Sequence, residues 1–468
     1  MKKMNKVISI FCSTVMTVSA LSLTACGGNG AQNELTIGYL NAGYGSEWIE
    51  TVAAEYTAQT GVKINLDGDS QFSSKVINEL GSGSTDYDIM ITESANWSSF
   101  AANGTLEKLN EVFANTDENG NTLESRYNTN ALHYAKATGS DRQEGYYSVP
   151  LFASIGGLVY NVEMFEYYGW KVPTTVNELI TLCARIKRDT STRKWTTKSG
   201  EKVTVAPFVY PGQYNFYWDF LIYNWWAQYD GSDVVEAAYN PESKNAMLTE
   251  GMKEAMRVFE TLNVKSGANS NSLAGSESKD HTNANTDFAN GLAAMMPSGS
   301  WAETEIKKNV EDSYEVGMIP TIYIDANHKT NVSYTISVVS TFVPSMSDNV
   351  SGAIDFLKYL TKTETLQKIT QLSGGIHPLD YNVQEIKSNC SSFLQQVIDI
   401  TQNNTPIYPT SSHPMLKYGI TQPWPLGSAA KMLLGGTYAN YQDVYNTIEN
   451  YINDNWELWQ KKVNDYLG

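Results

Sequence analysis

The chain has 468 residues, with 33 Lys and Arg against 50 Asp and Glu, which gives a formal net charge of −17 at neutral pH. So acidic a chain repels phosphates, which excludes a nucleic-acid partner bound by bulk electrostatic attraction. Aromatic residues make up 12% of the chain, including 29 Tyr and 11 Trp. This composition predicts either an aromatic core or aromatic rings that face a ligand, in a chain whose length suggests two or three domains.

The N-terminal residues have the pattern of an export signal. Lysines within residues 2–6 precede a mostly apolar, uncharged stretch at 7–20, which is too short to span a membrane and is typical of a signal peptide. The sequence Leu-Thr-Ala-Cys at 23–26 resembles the lipobox of bacterial lipoproteins, which implies cleavage before Cys26 and acylation of that cysteine. An ordinary secretory cleavage site is the alternative. We expect a signal peptide at 1–25, a lipidated tether at 26–33 and a soluble body.

Strand and helix patterns alternate in the first third of the body. Two alternating strand patterns, at residues 34–40 and 62–67, flank a helix whose apolar positions recur from Ile49 to Tyr56 and which Gly61 ends. A second helix with apolar positions at 72, 76, 77 and 80 leads to a third strand at 87–92. This order predicts a parallel sheet with crossover helices, and so an α/β fold.

The middle of the chain repeats this organisation. Pro150 stands between two extended runs, which suggests a crossing from one lobe to another, and a helix begins at Thr175 with Glu178 completing a capping box. A polar stretch that turns at Ser199-Gly200 is predicted as a hairpin, and another at 266–286 as a mobile loop. A buried strand at 292–296 is expected to break at Pro297 and Gly299, just before Trp301.

Patterns typical of enzymes and metal sites are missing from the sequence. The five histidines are scattered, and no HExxH motif, zinc-type cysteine spacing or phosphate-binding glycine loop is present. A calcium-loop pattern that begins at Asp117 lacks the glycine and the final glutamate. We therefore expect no metal, no cofactor and no enzymatic activity, and we interpret Cys183 and Cys390 as free buried thiols.

Five segments in chain order resemble the bacterial extracellular solute-binding proteins of sugar ABC importers, the maltodextrin-binding group. They are residues 35–66, 86–109, 147–187, 288–301 and 373–380. The resemblance implies two α/β lobes, joined by hinge segments, with a ligand held in the cleft between them. It assigns residues 34–149 and about 328–377 to the first lobe, and residues 150–327 and about 378–468 to the second.

Candidate ligand-binding residues lie where the resemblance places the cleft. Aromatic rings stack on the apolar C–H faces of sugars, and polar side chains bind the hydroxyl edges. Adjacent Trp225 and Trp226 are on one predicted helix, so at least one is expected in the core. The candidates are Tyr44, Glu47, Asn96, Trp97, Asn215, Trp218, Trp225, Trp301, His377 and Trp424.

These observations favour a lipid-anchored protein that binds a carbohydrate by lobe closure and delivers it to an ABC permease. Several aromatic candidates suggest an oligosaccharide. The expected partners are the carbohydrate, the permease subunits and the membrane through Cys26, with the protein monomeric, outside the cytoplasm and without nucleic acid. The alternatives are a lipid-anchored glycoside hydrolase, which needs only two suitably spaced carboxylates, a binding protein for another solute such as a peptide, and a surface adhesin.

Overall fold

A computed structural model describes residues 33–93, 97–214, 216–238, 244–263, 271–310, 313–319, 321–408, 415, 418–420, 433–434 and 436–467. The predicted signal peptide and the predicted lipidation site at Cys26 lie outside these residues. No helix in the described ranges is both long and apolar enough to cross a membrane.

Strands and helices alternate along most of the described chain. The strands are β1 Glu34–Leu40, β2 Lys63–Asp69, β3 Ile89–Thr92, β4 Lys136–Thr138, β5 Glu144–Tyr146, β6 Val149–Asn161, β7 Trp195–Thr196, β8 Lys202–Val203, β9 Ala206–Phe208, β10 Ala293–Gly299, β11 Val316–Ile319, β12 Val332–Phe342 and β13 Thr405–Ile407. The helices before β10 are α1 Glu47–Thr60, α2 Phe72–Ser82, α3 Trp97–Ala102, α4 Asn110–Phe113, α5 Leu123–Arg126, α6 Thr129–Leu132, α7 Val162–Tyr168, α8 Val176–Thr192, α9 Asp219–Asp230, α10 Ser232–Ala237, α11 Glu250–Asn263 and α12 His281–Ala289. Those after it are α13 Ala302–Asn309, α14 Val350–Leu360, α15 Thr363–Ser373, α16 Ser392–Asn403 and α17 Tyr441–Leu467.

The first three strands form the predicted parallel sheet. β1 pairs in parallel with β2 on one side and with β3 on the other, so that Ile37 lies opposite both Leu66 and Ile89. Helix α1 buries Ile49 and Tyr56 and ends at Gly61, which has a φ of 78°. Because a positive φ is strained for residues with a Cβ atom, glycine suits this helix end. The strand–helix–strand prediction is confirmed.

Two long strands, β6 and β12, connect the parallel sheet with the rest of the molecule. The sheet order is β2-β1-β3-β12-β6-β10-β9, with β11 also paired to β6 and β13 to β12. The first part of β6, residues 149–156, pairs with β12, and residues 158–160 lie between β10 and β11. Strand β6 therefore belongs to both halves of the sheet, and Pro150 stands in its first half.

Buried side chains form two large clusters. One includes Leu35 and Ile37 of β1 together with Phe356 of α14, and the other includes Trp226 of α9 and Phe259 of α11. Helix α16, which the resemblance assigns to the second lobe, buries Phe393 and Val397 in the cluster of β1. The lobe boundaries given above therefore stay a prediction. The aromatic composition is explained in part by these cores, because Trp225 and Trp226 are both fully buried.

Several local predictions are confirmed and others need correction. The polar stretch around Ser199-Gly200 forms the antiparallel hairpin β7–β8. The prediction of a mobile loop at 266–286 is wrong for its last six residues, which belong to α12. The Asp280 side chain caps this helix by accepting a 2.7 Å hydrogen bond from the Asn283 amide. Ile77 of α2 is exposed rather than buried.

The capping box of α8 has a different arrangement from the predicted one. The Thr175 hydroxyl accepts a 3.2 Å hydrogen bond from the Glu178 amide, as expected, whereas the Glu178 carboxylate accepts bonds from the amide and hydroxyl of Thr174. Cys183 of this helix is buried, Cys390 is half-buried, and both are free. The expectation of a buried thiol holds for Cys183, whereas Cys390 is only partly buried.

Candidate ligand-binding cleft

A cavity of about 440 Å³ opens where the first parallel strands, β6 and the start of α9 meet. This volume lies within the range of small-molecule sites, roughly 300–1,000 Å³. Its walls come from the loop after β1, the end of β3, strand β6, the segment that leads into α9, and helix α13. Seven aromatic residues line it: Tyr44, Trp48, Phe152, Phe216, Tyr217, Phe220 and Trp301.

Tyr44 is held at one wall of the cavity by contacts with β6. Its ring stacks on Phe152, with centroids 4.5 Å apart and planes inclined by 24°, and its hydroxyl shares a 2.6 Å hydrogen bond with the Ser154 hydroxyl. Burial raises the pKa of Tyr44 to about 12, so the phenol stays protonated and keeps a hydrogen to donate. Because Phe152 and Ser154 lie two residues apart on one strand, they face the same side.

Trp301 forms another part of the cavity wall and packs against two glycines. Ser300 separates it from the end of β10, and it immediately precedes α13, where it is half-buried. A Cβ atom at Gly299 would lie 2.1 Å from the Trp301 ring, and one at Gly43 would lie 3.1 Å from the Trp301 Cβ. The indole contacts the edge of Phe220 at 6.0 Å and 89°. The prediction that Pro297 breaks the strand is wrong, since Pro297 pairs with Leu158 inside β10.

The segment before α9 supplies a third aromatic wall. The Phe216 ring stacks on Tyr217 at 4.8 Å and is 43% exposed, so one of its faces is open to solvent. Tyr217 also packs on Phe220, with centroids 5.4 Å apart. Beside this wall, but outside the cavity lining, the Tyr214 hydroxyl lies 3.2 Å from Nδ1 of His281. These rings form a continuous surface from the buried end of the cavity to the solvent.

Three carboxylate side chains face the cavity: Glu93, Asp219 and Glu305. Asp219, the first residue of α9, is only 8% exposed, its Oδ1 has no hydrogen-bond partner, and burial raises the pKa of its carboxyl well above the ordinary 3.8. Burial also raises the pKa of Glu305, whose carboxylate accepts a 3.1 Å hydrogen bond from the Asn285 amide group. Of the described residues around the cavity, none is Lys or Arg.

The structure brings two of the sequence candidates, Tyr44 and Trp301, into this cavity. Glu47 is exposed on the first turn of α1, whereas its neighbour Trp48 lines the cavity. His377 is buried outside the cavity lining. Its Nδ1 lies 2.5 Å from the Leu151 carbonyl oxygen and its Nε2 lies 3.0 Å from the Leu366 carbonyl oxygen. Burial lowers the pKa of His377 to about 4, although these backbone contacts favour the charged ring.

Three candidate tryptophans lie in the hydrophobic cores rather than at the cavity. Trp97 packs in a cluster with Phe72 and Phe100, and Trp218 makes an edge contact with Phe208 at 5.4 Å. Trp225 is fully buried beneath the second half of the sheet, where it borders a void of about 20 Å³. Apolar burial explains their positions. The remaining candidates, Asn96, Asn215 and Trp424, lie outside the described residues.

Sequence reasoning missed most of the cavity wall next to α9. The sequence candidates in this region are Asn215, Trp218 and Trp225, whereas Phe216, Tyr217 and Phe220 line the cavity. The helix begins at Asp219, so the residues just before it belong to the preceding loop. A predicted helix start at this aspartate would have identified them, because the N-terminal end of a helix commonly faces a site.

Comparisons with known proteins agree with this geometry. The family model of the bacterial extracellular solute-binding proteins matches residues 41–367. A multiple sugar-binding protein of Streptococcus mutans is 24% identical over 238 residues, which cover 49% of this chain and 50% of that protein. A binding protein for osmoprotective compounds from Synechocystis is 26% identical over 185 residues, or 38% of this chain and 42% of that protein. The matches thus span half or less of these curated relatives.

Solved structures share the architecture over nearly their whole length. The apo form of RafE from Streptococcus pneumoniae has a TM-score of 0.66 and 17% identity, covering 92% of this chain and 99% of that one. A maltotriose-binding protein of Thermus thermophilus has a TM-score of 0.61 and 17% identity, covering 90% and 99%. At these identities the likeness establishes the fold, which is the two-lobed α/β architecture of periplasmic binding proteins.

Proposed function

The chain belongs to the bacterial extracellular solute-binding proteins, and we propose on that premise that it captures a carbohydrate in the cleft and delivers it to the permease of an ABC importer. The observation that carries this proposal is the cavity with seven aromatic rings and three carboxylates in its walls. The family places the protein outside the cytoplasm.

The wall chemistry suits a pyranose ring. Flat side chains such as Trp301 and Tyr44 match the apolar C–H faces of a sugar, and the carboxylates and hydroxyls match its polar edge. The exposed face of Phe216 extends the aromatic surface towards solvent, which leaves room for more than one ring. An oligosaccharide therefore uses this surface better than a monosaccharide does.

Ligand capture by lobe closure follows from where the walls originate. Tyr44 and Glu93 follow strands of the parallel sheet, whereas Tyr217 and Asp219 precede or begin α9, whose tryptophans lie in the other core. A ligand that contacts both groups stabilises the arrangement in which they approach each other. The closed form is then the one that docks on the permease.

We further propose that the mature protein is a monomer anchored by lipid at Cys26. Two or more acyl chains anchor a protein stably, whereas a single chain binds a membrane only marginally. Cys26→Ser should release the protein from membranes into the soluble fraction without changing its affinity for ligand. Retention of the variant in the membrane fraction would contradict the anchor.

A thermal-shift screen against mono- and oligosaccharides, peptides and polyamines tests the proposed function. A ligand that binds only the folded state increases the free energy of unfolding, by about 2.7 kcal/mol at a concentration of 100 times its dissociation constant, and so raises the melting temperature. We expect oligosaccharides to raise it and peptides to leave it unchanged. The opposite result would overturn the proposal, as would release of smaller sugars during incubation, which would indicate a glycoside hydrolase.

A further inference from the structure

His377 lies next to the wall of the cavity without lining it. Resting on the proposed function, we propose that His377 is a positioning residue of the carbohydrate site. Its imidazole supports the Phe152 ring and so fixes the orientation in which Phe152 and Tyr44 meet the ligand. The residue therefore acts on the ligand through these two rings.

Three rings form a stack that runs from the cavity into the protein interior. The Tyr44 ring stacks on Phe152 with centroids 4.5 Å apart, and the His377 imidazole stacks on Phe152 with centroids 5.3 Å apart and planes inclined by 22°. Tyr44 and Phe152 line the cavity, whereas His377 is 4% exposed and does not. A further edge contact joins the imidazole to buried Tyr381 at 4.7 Å and 79°. The contact with Phe152 thus connects His377 with the cavity.

The imidazole is held between β6 and α15. Its Nδ1 lies 2.5 Å from the carbonyl oxygen of Leu151, the neighbour of Phe152 on β6, and its Nε2 lies 3.0 Å from the carbonyl oxygen of Leu366 in α15. Burial lowers the pKa of His377 to about 4, so the ring is neutral near pH 7. A neutral imidazole has one N–H group, which it donates to one of these oxygens at a time. These contacts fix the plane that the imidazole presents to Phe152.

The backbone before His377 closes the space around the Phe152 ring. A Cβ atom at Gly375 would lie 2.4 Å from that ring. The Ala153 amide donates a 2.9 Å hydrogen bond to the Ile376 carbonyl oxygen, so this segment runs alongside β6. Phe152 is therefore confined both by the imidazole and by the chain that carries it.

Histidine combines the two properties that this position uses. A flat ring face matches Phe152, and an N–H group pairs with a backbone carbonyl oxygen that would otherwise be buried without a donor. An aliphatic side chain offers neither property, phenylalanine offers only the flat face, and glutamine offers only the N–H group. Substitutions can therefore separate the support of Phe152 from the hydrogen bond.

Support of the wall affects affinity through the freedom of its rings. A side chain that is already fixed in its binding orientation loses little conformational freedom when the ligand binds. Without the imidazole behind it, Phe152 can turn in the folded protein, and the Tyr44 ring that stacks on it loses a fixed partner. Binding then has to order both rings, which lowers the affinity.

Three substitutions at His377 test the proposal by titration calorimetry with the oligosaccharide that most raises the melting temperature. His377→Ala and His377→Gln remove the flat ring, and we expect the affinity to fall by about five-fold or more. His377→Phe keeps a flat ring, and we expect its affinity to stay within about two-fold of that of the parent protein. Its melting temperature should nevertheless fall, because the buried carbonyl oxygens lose their donor.

A matched control separates positioning from a general loss of stability. Leu360 of α14 is fully buried in the same cluster as Phe152 but does not line the cavity. Leu360→Ala should lower the melting temperature at least as much as His377→Ala, because it leaves a void in the core. Its affinity for the oligosaccharide should be unchanged, since calorimetry reports binding by the folded molecules.

The imidazole also provides a spectroscopic readout. We expect saturating oligosaccharide to shift the ring ¹⁵N resonances of His377, which are identified by their absence from the spectrum of His377→Phe. A residue that only fills the core away from the ligand would show no such shift.

The outcomes separate this inference from the proposed function. Parent-like affinity in His377→Ala and His377→Gln would overturn the inference, as would an equal loss of affinity in Leu360→Ala or in His377→Phe. If His377→Ala does not fold, the comparison of His377→Gln with His377→Phe decides. If no sugar binds the parent protein while another solute does, the proposed function fails, and titration of the same variants with that solute decides the role of His377.

Discussion

Trp301 connects the sequence pattern with the site at the scale of single residues. The indole lies where β10 has ended and α13 has not yet begun, and it packs against the positions of Gly43 and Gly299. A Cβ atom at Gly299 would collide with the Trp301 ring and would also lie 2.5 Å from the Ile155 carbonyl oxygen. No other residue therefore fits at this position unless the ring and the backbone move. The glycine and the tryptophan therefore act as one unit in the cavity wall.

Truncation of this ring should weaken binding more than folding. We expect Trp301→Ala to reduce the affinity for the best oligosaccharide of the screen by about ten-fold or more, since a stacking surface at the ligand is lost. Titration calorimetry measures the affinity, and thermal unfolding measures the stability. Tyr466→Ala, which removes a 44% exposed ring of α17, is the control. Unchanged affinity in Trp301→Ala would remove this residue from the site.

Replacement of Asp219 by Asn should increase the stability of the folded protein but weaken ligand binding. Because burial raises its pKa above 3.8, the folded protein holds a proton that the unfolded chain has lost. The contribution of this group to the free energy of unfolding is therefore present at low pH and declines as pH rises, by up to about 1.4 kcal/mol per unit until the pKa of the folded state is passed.

Asp219→Asn removes this dependence without changing the shape of the side chain. We expect the variant to become increasingly more stable than the parent protein in urea unfolding as pH rises above 4, while its affinity for ligand falls. A stability difference that is constant with pH would contradict the raised pKa.

Single residues of the site were partly predictable. Tyr44 and Trp301 follow strands of clear pattern, and a residue that follows such a strand tends to lie at the edge of the sheet, where sites are found. Trp97, Trp218 and Trp225 looked similar in the sequence but are buried at 5%, 3% and 0% exposure. Which side of a short helix or loop faces a cavity depends on contacts between distant segments, and the sequence pattern does not contain them.

At the scale of elements, an alanine substitution at the end of β10, next to the cavity, is compared with one in α2, away from it. Gly299→Ala places a methyl group against the Trp301 ring and a backbone oxygen, so we expect a loss of about 1–3 kcal/mol in stability and weaker sugar binding. Gly81→Ala in α2 meets no atom within 4 Å and should raise stability by up to about 1 kcal/mol with unchanged affinity. Equal effects of the two substitutions on ligand affinity would show that the contact with Trp301 is unimportant.

Elements with a strong periodic pattern were predicted well. The faces of α1 and α8 are buried as their spacing indicates, and the parallel pairing of β1 with β2 and β3 follows from the order of strands and helices. The polar composition of residues 281–286 suggested a loop, but the cap at Asp280 makes them part of α12. Composition alone is a weak guide where a capping residue starts a helix.

The whole molecule should respond to its ligand by closing. The cavity is lined by residues that follow β1 and β3 and by residues that lead into α9. A bound sugar that contacts both groups shifts the population towards the closed form. Small-angle scattering should show a smaller radius of gyration with saturating ligand, and Trp301→Ala should show this change only at higher ligand concentrations. A radius that does not change on saturation would contradict closure.

The fold was predictable at this scale because the resemblance covers most of the chain, whereas the lobe boundaries stay a prediction. Strand β6 runs through both halves of the sheet, and α16 packs against the cluster of β1 although the chain has already crossed β12. Such returns of the chain depend on packing between distant segments, which periodicity within a segment does not report.

A crystal structure of the protein with the oligosaccharide that most raises its melting temperature is the most direct test of carbohydrate binding in this cavity. We expect electron density for a sugar ring between Tyr44 and Trp301, with polar contacts to Asp219 and Glu305. Density for the sugar only at another place, such as the open groove lined by Tyr56, Arg126 and Tyr359, would contradict it.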